Sequence, residues 1–495
     1  MKSKNATQNI AIVGAGIAGL ATAIRLQASG NKVSVYEANS YPGGKLTAFT
    51  ADGYRFDMGP SLFTMPQYIE ELFALANKPM HSYFSYKRKD TICNYFFEDG
   101  TTFSAEADIA KFAKSASKVF DVDEQSLIDY LNRSKKKYDL TASLFLGKSL
   151  HKFLTYFSQD TLKAIFNISS LDINTTLADY NSKVLNSDKL VQFFNRFATY
   201  NGSNPYQTPG IMSMIPHLEQ YFGTYFPKGG MHQITLSLFE LAKDLGVQFY
   251  FNSKVEEIIA ANNQVDGIKV NNVFLPFDTV VSNADVVPTY RKLLPKHKAP
   301  EKILSQPRSS SALIFYWGIS QEFPQLDLHN IFFSENYKTE FDTIFKGNNV
   351  HLDPTVYVNI TSKEEPTDAP NGCENWFTMV NVPSNTGQDW DEIISRTREN
   401  VIKKVSKLLK QDIEPLIVYE SILDPRSIEA NTQSYQGALY GASSNNKFAA
   451  FLRHPNFKSN INNLYFCGGS VHPGGGIPLC LLSGKIVSEL IEKAS

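Results

Sequence analysis

Cysteine is scarce in this chain of 495 residues, which has four, at positions 93, 373, 467 and 480. None forms a C-x-x-C pair and no His/Cys group has metal-ligand spacing, so neither a metal site nor a disulfide scaffold is expected, and a reducing compartment fits best. An excess of one charge is also missing. Lys and Arg number 48 against 49 Asp and Glu, a net charge of −1, which leaves no electrostatic footprint for nucleic acid. No apolar run reaches the roughly 18 residues of a membrane-crossing helix. Lys2 and Lys4 ahead of the apolar residues 10–26 imitate a signal peptide, but Gly14, Gly16 and Gly19 punctuate that stretch. Disorder is excluded by 42% hydrophobic and 20% charged residues, a globular composition. What is abundant is Phe and Tyr, 35 and 24 against three Trp. Composition leaves two readings open: a large aromatic core, or an apolar cavity walled by rings for an oily ligand.

The glycines near the N-terminus have a pattern. Residues 9–13 read N-I-A-I-V, the kind of apolar run that makes a buried parallel strand. Gly14-Ala15-Gly16-Ile17-Ala18-Gly19 follows, then a proline-free helical stretch over 17–27, a stop at Gly30-Asn31, and a second strand over 32–36 ending at Glu37. In such a strand–turn–helix, Gly14 permits the tight turn, Gly16 lets the backbone approach a pyrophosphate and Gly19 allows close helix–strand packing. The helix start, at Ile17 and Ala18, offers unpaired N–H groups and a positive dipole end to phosphate. Glu37 lies 18 residues past Gly19, near the spacing of about 20 at which an acid grips a ribose hydroxyl, which favours FAD or NAD over NADP. Gly43, Gly44 and Lys45 come next and lean toward FAD, since two glycines and a cation suit a second phosphate or the flavin edge. A Pro-Gly-Gly turn with a solvated lysine accounts for the same residues equally well. Gly53 to Asp57, Met58, Gly59, Pro60 and Ser61 close the segment.

Taken together, the fingerprint, Gly43-Gly44-Lys45 and Phe56-Asp57-Met58-Gly59-Pro60 resemble the FAD-dependent carotenoid desaturases of the phytoene desaturase family. The C-terminal Leu464-Tyr465-Phe466-Cys467-Gly468-Gly469-Ser470-Val471-His472-Pro473-Gly474-Gly475-Gly476-Ile477-Pro478 is similar to that family's closing signature. Phe226 to Met231 and Val281-Ser282-Asn283-Ala284-Asp285 match its middle, so the resemblance spans nearly the whole chain. Within the family, residues 469–479 look closest to the branch that introduces a 3,4 double bond into 1-hydroxylated carotenoids. The resemblance implies an α/β fold: a Rossmann-type FAD-binding domain with a discontinuous substrate-binding domain, in the glutathione-reductase/amine-oxidase-like superfamily. It places Gly468, Gly469, Gly476, Ile477 and Pro478 on the flavin and the backbone of Val255 near the adenine, although Val255 reads equally as a core valine. Many flavoproteins of the wider superfamily have Gly-Asp where this chain has Gly468-Gly469-Ser470.

From the motif positions, residues 1–85, 216–290 and 455–495 are expected to form the FAD-binding domain, and 86–215 with 291–454 the substrate-binding domain with a helical cap. Helix over 231–245 and strands over 247–252, 255–259 and 265–270 are expected in the first. A hairpin over 91–103, mostly helix over 106–215, and strands over 312–319, 355–360 and 376–382 are expected in the second. Residues 362–372, rich in Pro, Glu and Asp, read as a surface loop. A carotenoid dissolves in bilayers, so a cytoplasmic enzyme peripherally associated with the membrane is implied. Residues 144–166 offer a docking surface, with Leu146, Leu150, Phe153 and Phe157 on one helix face and Lys148 and Lys152 on another. A cap helix packed on its own domain explains the same pattern.

Desaturation removes two electrons and two protons, and no side chain accepts hydride, so a redox cofactor is required. His472 is the ionisable residue of the closing signature and a candidate base; a structural histidine at a turn is the alternative. Asp57 is the second candidate, against a turn-closing Asp that accepts backbone N–H groups. The resemblance implies oxygen or a membrane quinone as electron acceptor, and with no second nucleotide fingerprint evident, direct use of NAD(P) is not supported. The competing readings are a phytoene or diapophytoene desaturase, a flavin amine oxidase, a carotenoid isomerase that needs reduced FAD, and a non-catalytic prenyl-lipid escort protein.

Overall fold

An apolar run without alternation suits a strand covered on both faces, and N-I-A-I-V lies at the centre of the first sheet. The computed structural model describes residues 7–145, 168–446 and 453–494. Five parallel strands lie in the order Leu464–Phe466, Thr279–Ser282, Asn9–Val13, Lys32–Tyr36, Gln248–Tyr250. Three distant stretches of sequence therefore meet in one sheet. Ile10 and Ile12 pack against the helices Ile17–Ala28, His232–Asp244 and Ile477–Ala494. Ala11 and Val13, pointing the other way, pack on a three-stranded antiparallel sheet of Val255–Ala261, Gln264–Val270 and Val273–Pro276. Asn262 and Asn263 make the turn between its first two strands, both at positive φ, a conformation asparagine tolerates better than most residues.

The second sheet has seven strands in the order Ile417–Leu423, Ser311–Ile319, Glu374–Val382, Val356–Ile360, His329–Phe332, Thr91–Phe96, Thr102–Glu106. All pairs are antiparallel except His329–Phe332 with Thr91–Phe96. Alternation along Val356–Ile360 sends Val356, Val358 and Ile360 into a core with the helix Trp390–Leu409. The opposite face is set by register. Ile314 lies across from Met379 and Tyr316 from Phe377, then Tyr357 from Met379 and Asn359 from Phe377, then His329 from Asn359, and Ile331 from both Tyr357 and Tyr95. Helices Ile109–Phe120, Leu177–Val184 and Asp188–Asn195 cover its far end through a phenylalanine-rich core. Arg196 and Glu219 form an ion pair at 3.2 Å there, both buried.

Residues 362–372 run along the surface, with Pro366, Thr367, Pro370, Asn371 and Gly372 exposed, but they turn two side chains inward, Asp368 and Ala369. Asp368 is buried and pairs with Arg55 at 3.2 Å. A buried carboxylate requires a partner, and this one comes from more than three hundred residues away, beyond the reach of a compositional reading. Of the docking candidate 144–166, Leu146, Lys148, Leu150, Lys152, Phe153 and Phe157 lie outside the described residues. Among the described residues, no helix is long and apolar enough to cross a membrane.

Candidate active site

Four turns converge at the C-terminal edge of the parallel sheet. The first is the fingerprint. Gly14 adopts φ +99°, and Gly16 is the N-cap of Ile17–Ala28, with no side chain capping that helix and no acid in its first turn. Ile17 and Ala18 therefore open an uncapped helix start. A Cβ on Gly19 would lie 2.3 Å from the Gly14 carbonyl oxygen, so the helix can approach the strand only with glycine there. Glu37 is buried; its carboxylate accepts from the N–H of Ala15 at 2.8 Å and of Asn39 at 2.9 Å. It ties the glycine turn to the end of the second strand.

The second turn sits on the first. The Gly43 N–H donates to the Ala15 carbonyl at 2.8 Å, and Gly44 is in contact range of Gly16. Lys45 follows, its Nζ donating to the carbonyls of Ala438 and Leu439 at 3.2 and 2.8 Å. Burial pushes the Lys45 ammonium down from its ordinary range, against the pull of Asp285, whose own carboxyl is raised by burial. The lysine thus spans from the second glycine turn to the segment that borders the strand Ser311–Ile319. Gly59 packs its Cα on the Lys45 carbonyl, Pro60 follows, and Ser61 Oγ lies 2.8 Å from the Tyr357 hydroxyl.

Asn283, which the sequence reading noted in a family motif but not as a site residue, pins the arrangement. Its Nδ2 donates to the Gly14 carbonyl at 3.2 Å, its N–H to Val13 at 2.9 Å, and a Cβ on Gly16 would come within 2.8 Å of it. A Cβ on Gly468 would lie 3.1 Å from Asn283 Oδ1, so one side chain keys the opening and closing motifs together. The signal available in sequence was Ser-Asn-Ala-Asp directly after a parallel strand, at the edge where such sheets bind ligands.

The closing signature forms the fourth turn. Gly469 packs against Gly475, and Ser470 Oγ accepts from the Val286 N–H at 3.0 Å. Gly476 has φ +106° and open space where a Cβ would be; Ile477 and Pro478 then begin the last helix, which has no acid in its first turn. His472 is buried beside them. Its N–H donates to His454 at 3.0 Å, and its carbonyl accepts from Asn456 Nδ2 at 2.7 Å and Ser483 Oγ at 3.1 Å. Asn456 and Ser483 carried no motif and went unnoticed in the sequence. Asp57 is also buried. It accepts from the N–H groups of Met231 and His232 at 2.8 and 3.0 Å and from Arg55 at 2.8 and 3.4 Å. This is the arrangement of a carboxylate that closes a turn and caps the helix His232–Asp244. Val255 packs its side chain among Val13, Tyr36 and Ile268.

The family described as flavin-containing amine oxidoreductase matches residues 17–491. The chain belongs to this family. It is 58% identical over 484 residues to a 1-hydroxycarotenoid 3,4-desaturase of Flavobacterium sp. (strain P99-3), covering 98% of this chain and 99% of the relative. A 4,4'-diapolycopene oxygenase of Methylomonas sp is 32% identical, covering 99% of both chains. Among solved structures, a putrescine oxidase variant aligns with TM-score 0.65 at 14% identity over 99% of both chains, a likeness of fold. As a flavin-containing amine oxidoreductase the chain is an FAD-dependent enzyme with a Rossmann-type α/β fold. Its residues fit that cofactor: the uncapped start of Ile17–Ala28 and the acid-free first turn of Ile477–Ala494 lie at the glycine turns, Gly19 and Gly59 stand where a Cβ would strike backbone, and Glu37 lies at the end of the second strand.

Proposed function

We propose that this oxidoreductase desaturates a carotenoid in carotenoid biosynthesis, taking a hydride and a proton from the 3,4 bond of a 1-hydroxycarotenoid. The observation that carries the reading is the 58% identity, end to end, to an enzyme named for that reaction. On the face of the seven-stranded sheet toward Ser61, Ile314, Tyr316 and Phe377 are buried in one aromatic cluster with Phe56, and Met379 beside them keeps part of its surface accessible.

FAD, when bound, supplies the hydride acceptor. Gly14, Gly16, Ile17, Ala18 and Gly19 hold its pyrophosphate and Glu37 its ribose; Gly43, Gly44, Lys45, Gly59, Pro60, Ser61, Gly468, Gly469, Gly476, Ile477 and Pro478 shape the flavin end. Residues 1–85, 216–290 and 455–495 make up this domain, and 86–215 with 291–454 the substrate side. The N-terminus of the last helix, with no acid in its first turn, favours negative charge near it. A cation left by hydride departure spreads along the polyene, so the proton that follows is acidic and a weak base suffices. His472 is the base in this reading, and Asn456 and Ser483 fix its backbone through the carbonyl. Asp57 serves as a cap rather than a base, because its four hydrogen bonds occupy the carboxylate. The substrate comes from a membrane to which the enzyme attaches peripherally, and electrons leave to oxygen or a quinone.

The test is incubation of the FAD-loaded enzyme with a 1-hydroxycarotenoid, with lycopene-type substrates and with phytoene, followed by mass spectrometry. Loss of two hydrogens from the hydroxylated substrate is the expected result. Desaturation of phytoene alone would refute the reading.

A further inference from the structure

Polar side chains gather on this face of the sheet at one place. On the strands Val356–Ile360 and His329–Phe332, register puts Asn359 beside His329. Here a chain of polar groups starts at the flavin side. Ser61 Oγ lies 2.8 Å from the Tyr357 hydroxyl, which lies 2.8 Å from His329 Nδ1. Asn359 Nδ2 reaches the same nitrogen at 3.2 Å. Two donors on Nδ1 make it an acceptor, and a neutral imidazole that accepts at Nδ1 carries its proton on Nε2. Burial keeps the ring neutral, with its pKa pushed down to about 3.

That Nε2–H has no partner among the described residues, although His329 is only 3% exposed. Tyr95, on the adjoining strand and the same face, has only the Cys93 thiol beside its buried hydroxyl among the described residues. Native interiors rarely leave such groups unpaired unless something else supplies the missing partner. Tyr357 and Ser61 both keep part of their surface accessible, while His329 and Asn359 are buried, so the chain is open at its Ser61 end.

We propose that His329, oriented by Tyr357, Ser61 and Asn359, forms the subsite that recognises the tertiary hydroxyl of the substrate, the Nε2–H donating to the alcohol oxygen. This rests on the hydroxycarotenoid reading above. Only two carbon–carbon bonds separate the hydroxyl-bearing carbon from the bond that reacts, so its recognition group must lie next to the flavin. Ser61, directly after Gly59 and Pro60, puts the chain there. His329 contacts the substrate and determines specificity; Tyr357 is a positioning residue that holds the ring in one tautomer.

The experiment titrates FAD-loaded wild type, His329→Leu and Tyr357→Phe with a 1-hydroxycarotenoid and with the same carotenoid lacking the hydroxyl. The absorption shift of the bound polyene gives the affinities, and kcat/KM is measured in parallel. His329→Leu should lose about tenfold in affinity and in kcat/KM for the hydroxylated substrate, the worth of one buried hydrogen bond, while binding of its counterpart is kept or improved. Tyr357→Phe should shift selectivity the same way by less, and it carries the test alone if His329→Leu does not fold. Equal losses on both substrates, or unchanged selectivity at normal flavin content, overturn the subsite and leave the function standing. Failure of the wild type to take two hydrogens from the hydroxylated substrate overturns the function, and the subsite with it.

Discussion

At Gly59 one added methyl group would lie 1.9 Å from the Lys45 carbonyl oxygen, a backbone atom. At Arg196 the neighbours are instead side chains: Glu219 at 3.2 Å and the rings of Phe197 and Tyr95 at 4.4 and 5.4 Å. The turn at Gly59 is main chain brought close to main chain, and what limits it is the absence of a Cβ. The core around Arg196 is made of buried polar groups matched to one another inside an aromatic packing. A cradle of the first kind suits a ligand recognised by phosphates and a ribose. A core of the second kind can be altered pair by pair, which suits an end that must distinguish one oily chain from another.

Breaking the turn at Gly59 should show in the flavin content. Gly59→Ala forces the backbone apart; overpacking of this kind costs about 1–3 kcal/mol, and here it falls on the bound cofactor. Flavin content, read from absorption after purification, should fall about tenfold or more. Retention of full flavin would show that the turn has slack the geometry does not suggest.

On the other side, Arg196→Met leaves Glu219 buried without its counter-charge and should cost about 3–5 kcal/mol in urea unfolding. Arg196→Met combined with Glu219→Met should recover most of it, because two apolar groups leave nothing unpaired. A double variant as unstable as the single would mean that the pair is not what organises this core.

Asp57 lies on the border between the two regions. Asp57→Asn weakens the cap on His232–Asp244 and the bond to Arg55, a loss of about 2 kcal/mol. Turnover per bound flavin should stay within a few-fold. A fall of about a hundredfold or more with flavin retained would instead make Asp57 the base.

The smallest expected effect is a matter of pH. Glu340 is buried, and burial raises its pKa from the ordinary glutamate range to about 7, even though Thr355 donates to it from its N–H and hydroxyl at 2.8 and 2.7 Å. Lys404 and His351 oppose the shift. The folded protein therefore holds this proton more tightly than the unfolded chain. The associated stability is complete below the ordinary glutamate range and is lost as pH rises through about 7. Glu340→Gln keeps an acceptor for Thr355 and cannot ionise, so its urea midpoint should decline less over that window than the wild type's. Parallel curves for the two proteins would contradict the assignment.

Which features could be read in advance follows the same division. Asn9–Val13, the turn at Gly14 and the helix from Ile17 were legible because each is decided within a few residues, by burial on both faces, by positive φ and by an uncapped helix start. The strands Ser311–Ile319, Val356–Ile360 and Glu374–Val382 were legible as strands, but their neighbours were not. The burial of Asp368 was missed because its partner, Arg55, is remote in sequence.

By itself, then, the sequence determined where the chain turns, which stretches extend or coil, and that a dinucleotide fingerprint stands at its start. Tertiary structure alone decided that Asn283 locks Gly16 to Gly468, that Lys45 reaches Leu439, and that Ser61, Tyr357 and His329 form one polar chain. The reason is physical. Local conformation depends on torsions and hydrogen bonds between near neighbours, which composition and spacing encode. Register between distant strands depends on which faces must be buried together, and that is settled only when the whole core closes.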